Sequence, residues 1–236
     1  MVKSDVQLMS TKICASITAK TFRELVEMAG KAEEEGASLL EIRLDYLKED
    51  YSFKDIRELT SLPLIATCRL PGEGGLFRGE ESKRISQLLS AVLVGFDYVD
   101  VELVTKDVKE VVKKAKSGGA KTIISKHDFS STPGIPVLNR LFRKEIALGA
   151  DVCKIVTTAK SADANLSCLR FIAKASKIKD VICFAMGPLG TPSRLLSPLF
   201  GGFLTYATVE EGKEAAPGQI TISETRNFYE MMKYDS

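Results

Sequence analysis

Short β-branched or apolar runs alternate with amphipathic ones along the whole chain. The runs are Ile13–Ile17, Leu39–Asp45, Leu64–Arg69, Tyr98–Leu103, Thr122–His127, Asp151–Val156, Val181–Met186 and Phe203–Ala207. Between them apolar residues recur three and four apart, as in Leu25, Val26 and Ala29 or Leu138, Leu141 and Phe142, the spacing of a helix with one buried face. Strands that recur with a helix between them lie parallel. The second residues of successive runs are 22 to 34 residues apart, and the rhythm persists to the end of the 236 residues. Eight such units predict a (β/α)8 TIM barrel rather than an open doubly wound sheet. No Gly-, Pro- or Ser-rich linker interrupts them, so residues 1–236 read as a single catalytic barrel domain. Two stretches break the rhythm: Phe53–Leu59 is a short helix, and Pro192, Pro198 and Gly201-Gly202 make the approach to the last strand irregular.

Composition narrows the function. Lys plus Arg is 33 and Asp plus Glu 31, a formal charge of +2, which gives no overall field for nucleic acid or an anionic membrane. The basic cluster Lys109 to Lys116 contains Glu110 and Val111 and reads as a solvated helix face. No run approaches the roughly 20 apolar residues of a membrane span, and MVKSDVQLMS lacks the apolar core of a secretory signal. These features predict a cytoplasmic protein without nucleic-acid or membrane partners. Cys14, Cys68, Cys153, Cys168 and Cys183 form no CxxC pair, so neither a disulfide framework nor a zinc site is expected. No GxGxxG or GxxxxGK[ST] pattern appears, and no cofactor or metal is expected.

In a barrel, alternate side chains of each strand fill the interior, and chemistry gathers at the C-terminal strand ends. In Leu39–Asp45, Leu40, Ile42 and Leu44 share one face while Glu41, Arg43 and Asp45 share the other. If the apolar face meets the helices, three charges point inward, where they survive only by pairing or binding something. A half-solvated edge strand shows the same alternation. Lys154 lies in the middle of the apolar run Asp151–Val156. Desolvation and nearby cations would favour its neutral amine, a nucleophile able to form an imine with a ketone; a lysine paired with a carboxylate such as Glu102 is the plainer reading.

His127, the only histidine, ends the preceding strand and is suited to carrying protons near neutrality. The third strand runs into Pro71-Gly72-Glu73-Gly74-Gly75, a loop able to bring Glu73 against the histidine and orient it. Gly72, Gly74, Gly75 and Gly79 would give that loop hinge freedom and make it a candidate lid. Asp100 and Glu102 share one strand face and suit pairing with arginines, and Arg43, Arg69 and Arg194 suit an anionic, hydroxylated substrate.

In order, these residues resemble the type I 3-dehydroquinate dehydratase family. The pattern E-x-R-x-D is Glu41, Arg43 and Asp45; T-x-R followed by an EGG loop is Thr67, Arg69 and Glu73; His-Asp-Phe is His127, Asp128 and Phe129. The A-D-x-x-K-I strand carries Lys154, and Met186-Gly187, Ser193-Arg194 and Ala216-Pro217-Gly218-Gln219 follow. The resemblance implies a syn dehydration of 3-dehydroquinate to 3-dehydroshikimate in the shikimate pathway, through an imine on Lys154 with His127 as general base and acid. It further implies that Glu73 supports His127, that Arg194 and Gln219 hold the substrate carboxylate, and that Glu41, Arg43 and Arg69 hold its hydroxyls. Met186 would pack beside the imine, Ser16 resembles a substrate-contacting serine, and family members are often homodimers.

Two positions depart from the pattern: Ala215 stands where a serine is common, and Lys126 where an aromatic residue is frequent. The first predicts one lost substrate hydrogen bond, the second a cation able to lower the His127 pKa. A class I imine-forming aldolase and a catalytically silent barrel subunit are the competing expectations. The first is disfavoured by the His127–Glu73 pair and the arginines, the second by intact residues at every site position.

Overall fold

The computed structural model describes residues 11–232. Eight strands form one parallel sheet: β1 (Ile13–Ile17), β2 (Leu39–Arg43), β3 (Leu64–Thr67), β4 (Tyr98–Glu102), β5 (Lys121–His127), β6 (Val152–Thr158), β7 (Asp180–Met186) and β8 (Thr205–Thr208). Their order, β7-β6-β5-β4-β3-β2-β1-β8, wraps the sheet into a barrel. The Phe203 N–H bonds the Val181 carbonyl at 2.9 Å across the β7–β8 seam, and the Phe184 and Tyr206 rings meet edge-on there.

Helices α1 (Phe22–Glu34), α2 (Phe53–Glu58), α3 (Glu81–Leu93), α4 (Val108–Ser117), α5 (Ile135–Ala147), α6 (Asp163–Ala175), α7 (Thr191–Leu196) and α8 (Ile222–Met231) follow the strands in turn. Local chemistry starts several of them. The Thr21 hydroxyl accepts from the Glu24 N–H at the head of α1, and Thr221 with Glu224 forms a capping box at α8. The irregular approach to β8 resolves into a 3-10 turn at Pro188–Gly190, the six residues of α7 and a second turn at Ser197–Phe200. Among the described residues no helix is long and apolar enough to cross a membrane.

Alternation divides the burial into two cores. Leu40, Ile42 and Leu44 join Val99, Val101, Ile124 and Ile155 against the helices. Cys14, Leu39, Ile65, Ile123, Val152, Ile182 and Leu204 point inward and fill the barrel. One inward step later, toward the C-terminal strand ends, the residues become Ser16, Glu41, Thr67, Asp100, Ser125 and Lys154, all buried. The expected inward face of β2 is therefore the observed one, and the floor of the barrel is apolar while its mouth is charged.

Strand ends match the sequence expectation or differ from it by one or two residues. β2 stops at Arg43 and β3 at Thr67 because the chain turns there, with the Tyr46 N–H returning to the Arg43 carbonyl. β6 runs on to Thr158 because β7 pairs it up to Met186.

Candidate active site

At the mouth of the barrel lies a cavity lined by Ser16, Glu41, Arg43, Arg69, His127, Phe129, Lys154, Val156, Phe184, Met186, Arg194, Tyr206, Ala215, Ala216 and Gln219. Of the residues to which the resemblance assigns a catalytic or substrate-contacting role, all line it except Glu73, which stands behind His127.

Lys154 projects inward from the middle of β6 and is 4% exposed. Its Nζ lies 2.9 Å from Asp100 Oδ2, 3.3 Å from Glu41 Oε1 and 4.2 Å from the centre of the Tyr206 ring. The expected partner Glu102 is elsewhere: it accepts from the Leu70 N–H at 2.8 Å and pairs with Arg84, while Arg69 Nη1 stands 3.7 Å away. The direct contacts of the amine are carboxylates, not the cations expected. Burial alone would raise the Asp100 carboxyl, but Arg69 and Lys154 hold it far below the usual range. Glu41 is likewise pushed up by burial and brought below its ordinary value by Lys154 and Arg43.

Two arginines are already engaged. Arg43 binds Asp45 through Nε at 2.9 Å and Nη2 at 2.7 Å; Arg69 donates to Asp100 and to Ser125 Oγ, both at 2.6 Å. Arg194 is different. It is 1% exposed, its guanidinium lies 4.3 Å over the Phe184 ring, and it donates at 3.4 Å to the Pro217 carbonyl. Its Nε has no hydrogen-bond partner among the described residues. Burial with no compensating charge brings its pKa from 12.5 down to about 9.

His127 ends β5 two residues beyond the last pairing with β4, Glu102 to Ser125. Its backbone N–H, deprived of a strand carbonyl there, donates to Glu73 Oε2 at 2.6 Å, and its Nδ1 lies 3.2 Å from the same oxygen. With Nδ1 so engaged, Nε2 is left for the cavity. Burial, then Arg69, bring the imidazole down to about 4, against the pull of Glu73. The cation expected to act on it directly, Lys126, instead binds Glu73 Oε1 at 2.5 Å.

Two of the glycines after β3 are required by close packing. Gly74 is left-handed at φ 84°, and a Cβ there would run into the Phe129 ring; one at Gly75 would meet the Arg69 carbonyl. The loop after β8 docks in the same manner. Gly218 (φ 77°) sits against the backbone of Gly187, whose N–H donates to the Pro217 carbonyl. Gln219 then spans the gap, accepting from the Ala215 N–H at 2.6 Å and donating to Ser16 Oγ at 3.2 Å, which in turn donates to Glu41 at 3.1 Å.

Sequence reasoning did not find Tyr206, Phe184, Arg84 or the contact of Asp100 with Lys154; the expected pairing of Asp100 with an arginine is the one made with Arg69. Tyr206 and Phe184 look like ordinary strand hydrophobes, and Arg84 lies on α3 with no sign of burial in its neighbours. The parity of Asp100 with Glu102 was the one signal available.

A parallel (β/α)8 barrel that carries a buried amine, an imidazole held by a carboxylate and a guanidinium with no carboxylate partner among the described residues at its C-terminal mouth has the layout of a barrel enzyme acting on a small anionic molecule. Comparison with known proteins makes this particular. The family model described as type I 3-dehydroquinase matches residues 13–236, and the chain belongs to that family. A 3-dehydroquinate dehydratase of Methanopyrus kandleri is 39% identical over 224 residues, covering 93% of this chain and 99% of the relative. The structure of the 3-dehydroquinate dehydratase of Geobacillus kaustophilus superposes with a TM-score of 0.87 at 26% identity, covering 97% and 93% of the two chains. That of the type I enzyme of Clostridium difficile, with covalently modified comenic acid, gives 0.83 at 28%, covering 94% and 92%. The activity is the hydro-lyase reaction on 3-dehydroquinate, a step of the shikimate pathway.

Proposed function

We propose that the chain, as a single catalytic barrel, dehydrates 3-dehydroquinate through an imine on Lys154. The observation that carries this is the convergence on one cavity of the buried Lys154 amine, the Glu73-held His127 and the carboxylate-free cation Arg194. Lys154 passes one proton to His127 and attacks the substrate ketone with the lone pair so freed; the carbonyl oxygen takes that proton back and a second from the nitrogen, and leaves as water to give an iminium ion. That cation acidifies the adjacent carbon, whose proton passes to His127 Nε2 while the electron pair forms the enamine. The enamine expels the hydroxyl on the next carbon, His127 returns the proton to it, and a second water departs. Hydrolysis of the product iminium consumes one water and frees Lys154 and 3-dehydroshikimate. The net change is loss of one water.

Burial of Arg194 beside Gln219 suits the substrate carboxylate, while Glu41, Arg43, Arg69 and Ser16 suit the hydroxyls and Met186 the imine flank. Ala215 offers its surface but no hydroxyl. The covalently modified comenic acid in the structure of the type I enzyme of Clostridium difficile supports a covalent mechanism. Exposed Leu166, Leu189, Leu199 and Phe200, on α6 and the turns around α7, support a homodimer, and five buried free cysteines suit the reducing cytoplasm.

Intact-mass analysis after borohydride reduction in the presence of 3-dehydroquinate tests the mechanism. One adduct on the wild type and none on Lys154→Ala is expected; no adduct on folded wild type would sink the imine.

A further inference from the structure

Lys126 belongs to the helix-facing side of β5, yet its ammonium does not go to solvent. β4 ends at Glu102, short of His127, and Glu73 enters the space from the turn after β3. The Glu73 carboxylate, 3% exposed, is divided between two neighbours in the sequence: Oε1 takes Lys126 Nζ at 2.5 Å, and Oε2 takes the backbone N–H and Nδ1 of His127. Lys126 itself is 30% exposed in its side chain, so it closes the outer edge of a carboxylate that water would otherwise reach.

We propose that Lys126 is a positioning residue for the dehydration: by gripping Glu73 Oε1 it fixes the rotation of the carboxylate that aims His127 and limits the negative charge that carboxylate offers the imidazole. The proposal rests on the reading of His127 as the proton carrier. A carboxylate serving the imidazole alone would favour imidazolium, raise its pKa and leave less of the neutral ring to accept a proton as the pH falls; one shared with an ammonium holds the ring in place while drawing its pKa up less. Arg69 from β3 and Lys154 from β6 oppose the charged ring, and Asp100 from β4 favours it. Asp128, next in the chain, is turned away into bonds with Ser130 and Ser131. Lys126 is thus the charged group that reaches the imidazole by way of Glu73.

His127 is the only histidine, so one imidazole resonance reports its titration by NMR without substrate. Lys126→Met is expected to raise that pKa by roughly one pH unit, to move the acid limb of kcat/KM upward by a similar amount, and to lower kcat more than it changes KM. Lys126→Arg should restore the wild-type value. In a Glu73→Gln background, Lys126→Met should leave the resonance unmoved. An unmoved titration in Lys126→Met, or an equal rise with and without the Glu73 carboxylate, overturns the proposal; Lys126→Gln serves in place of Lys126→Met if the latter does not fold. Because the titration needs no substrate, its failure is distinct from failure of the borohydride adduct.

Discussion

Arg194 is a place where stability and function should pull in opposite directions. Its guanidinium is buried, stacked on Phe184 and opposed by no carboxylate among the described residues. Burial brings it from 12.5 down to about 9, which at 1.36 kcal/mol for each tenfold change is about 5 kcal/mol held against the cation in the empty enzyme. Replacement by methionine removes that cost and keeps most of the apolar stem. It forfeits the contact with Phe184, about 1–2 kcal/mol, and the long bond to Pro217, so a net gain of about 2 kcal/mol is expected. In a chain of this size that raises Tm by about 4–8 °C.

The same substitution removes the only uncommitted cation lining the cavity among the described residues. A charge-assisted pair to the substrate carboxylate is worth about 3 kcal/mol, so KM for 3-dehydroquinate should rise roughly 100-fold while kcat falls less. The assays are thermal unfolding of the ligand-free protein by circular dichroism and steady-state kinetics on the same preparation. A variant that melts below the wild type, or whose KM stays within about threefold of it, would refute the reasoning.

Three further outcomes follow from the structure. Glu145 on α5 is buried, neither carboxyl oxygen has a well-formed hydrogen bond among the described residues, and burial raises its pKa well above the ordinary value; the folded state then holds a proton the unfolded chain has lost, so stability is fully present below the unfolded pKa and declines as pH rises toward the folded one. Glu145→Gln should therefore be more stabilising relative to wild type in urea at pH 8 than at pH 5, and equal differences at the two would contradict this. Asp100→Asn leaves Arg69 and Lys154 without their shared counter-charge and should cost about 3–5 kcal/mol of unfolding free energy, a loss under 1 kcal/mol being the contrary result. Ala215→Ser adds a hydroxyl at the cavity wall and should lower KM about 2- to 12-fold, the worth of one neutral hydrogen bond; an unchanged KM would place the side chain out of reach of the substrate.

The barrel and the inward face of its strands were legible because both depend on local periodicity. Leu40, Ile42 and Leu44 against Glu41 and Arg43 is a pattern within one strand, and burial of the apolar face forces the other toward the mouth. Lys154 stood out because its own run was apolar. Partners across the barrel were not legible, since they depend on the stagger between strands that no single strand records. Lys154 on β6 meets Glu41 on β2, 113 residues away, and Asp100 rather than Glu102 on β4, because the register sets Lys154 level with Ser125 and Ser125 beside the Asp100 side chain.

Arg84 shows the same limit from the helix side. It occupies a surface-like position in the α3 pattern, between Lys83 and Ile85, yet is 0% exposed. Glu102 ends β4 with its carboxyl turned toward the sheet–helix boundary, where Arg69 alone stands too far off at 3.7 Å. Arg84 completes the neutralisation and also bonds the Cys68 carbonyl and Thr105 Oγ1. Even so, burial outweighs both arginines and leaves Glu102 above its ordinary pKa. A buried carboxylate thus recruits its cation from whichever element passes nearest, and for Glu102 and Glu73 alike that cation, Arg84 or Lys126, sits at a position whose sequence context reads as solvent-facing. At this barrel mouth the inward residues follow from pattern, while the cations that hold their charge in place follow only from the assembled geometry.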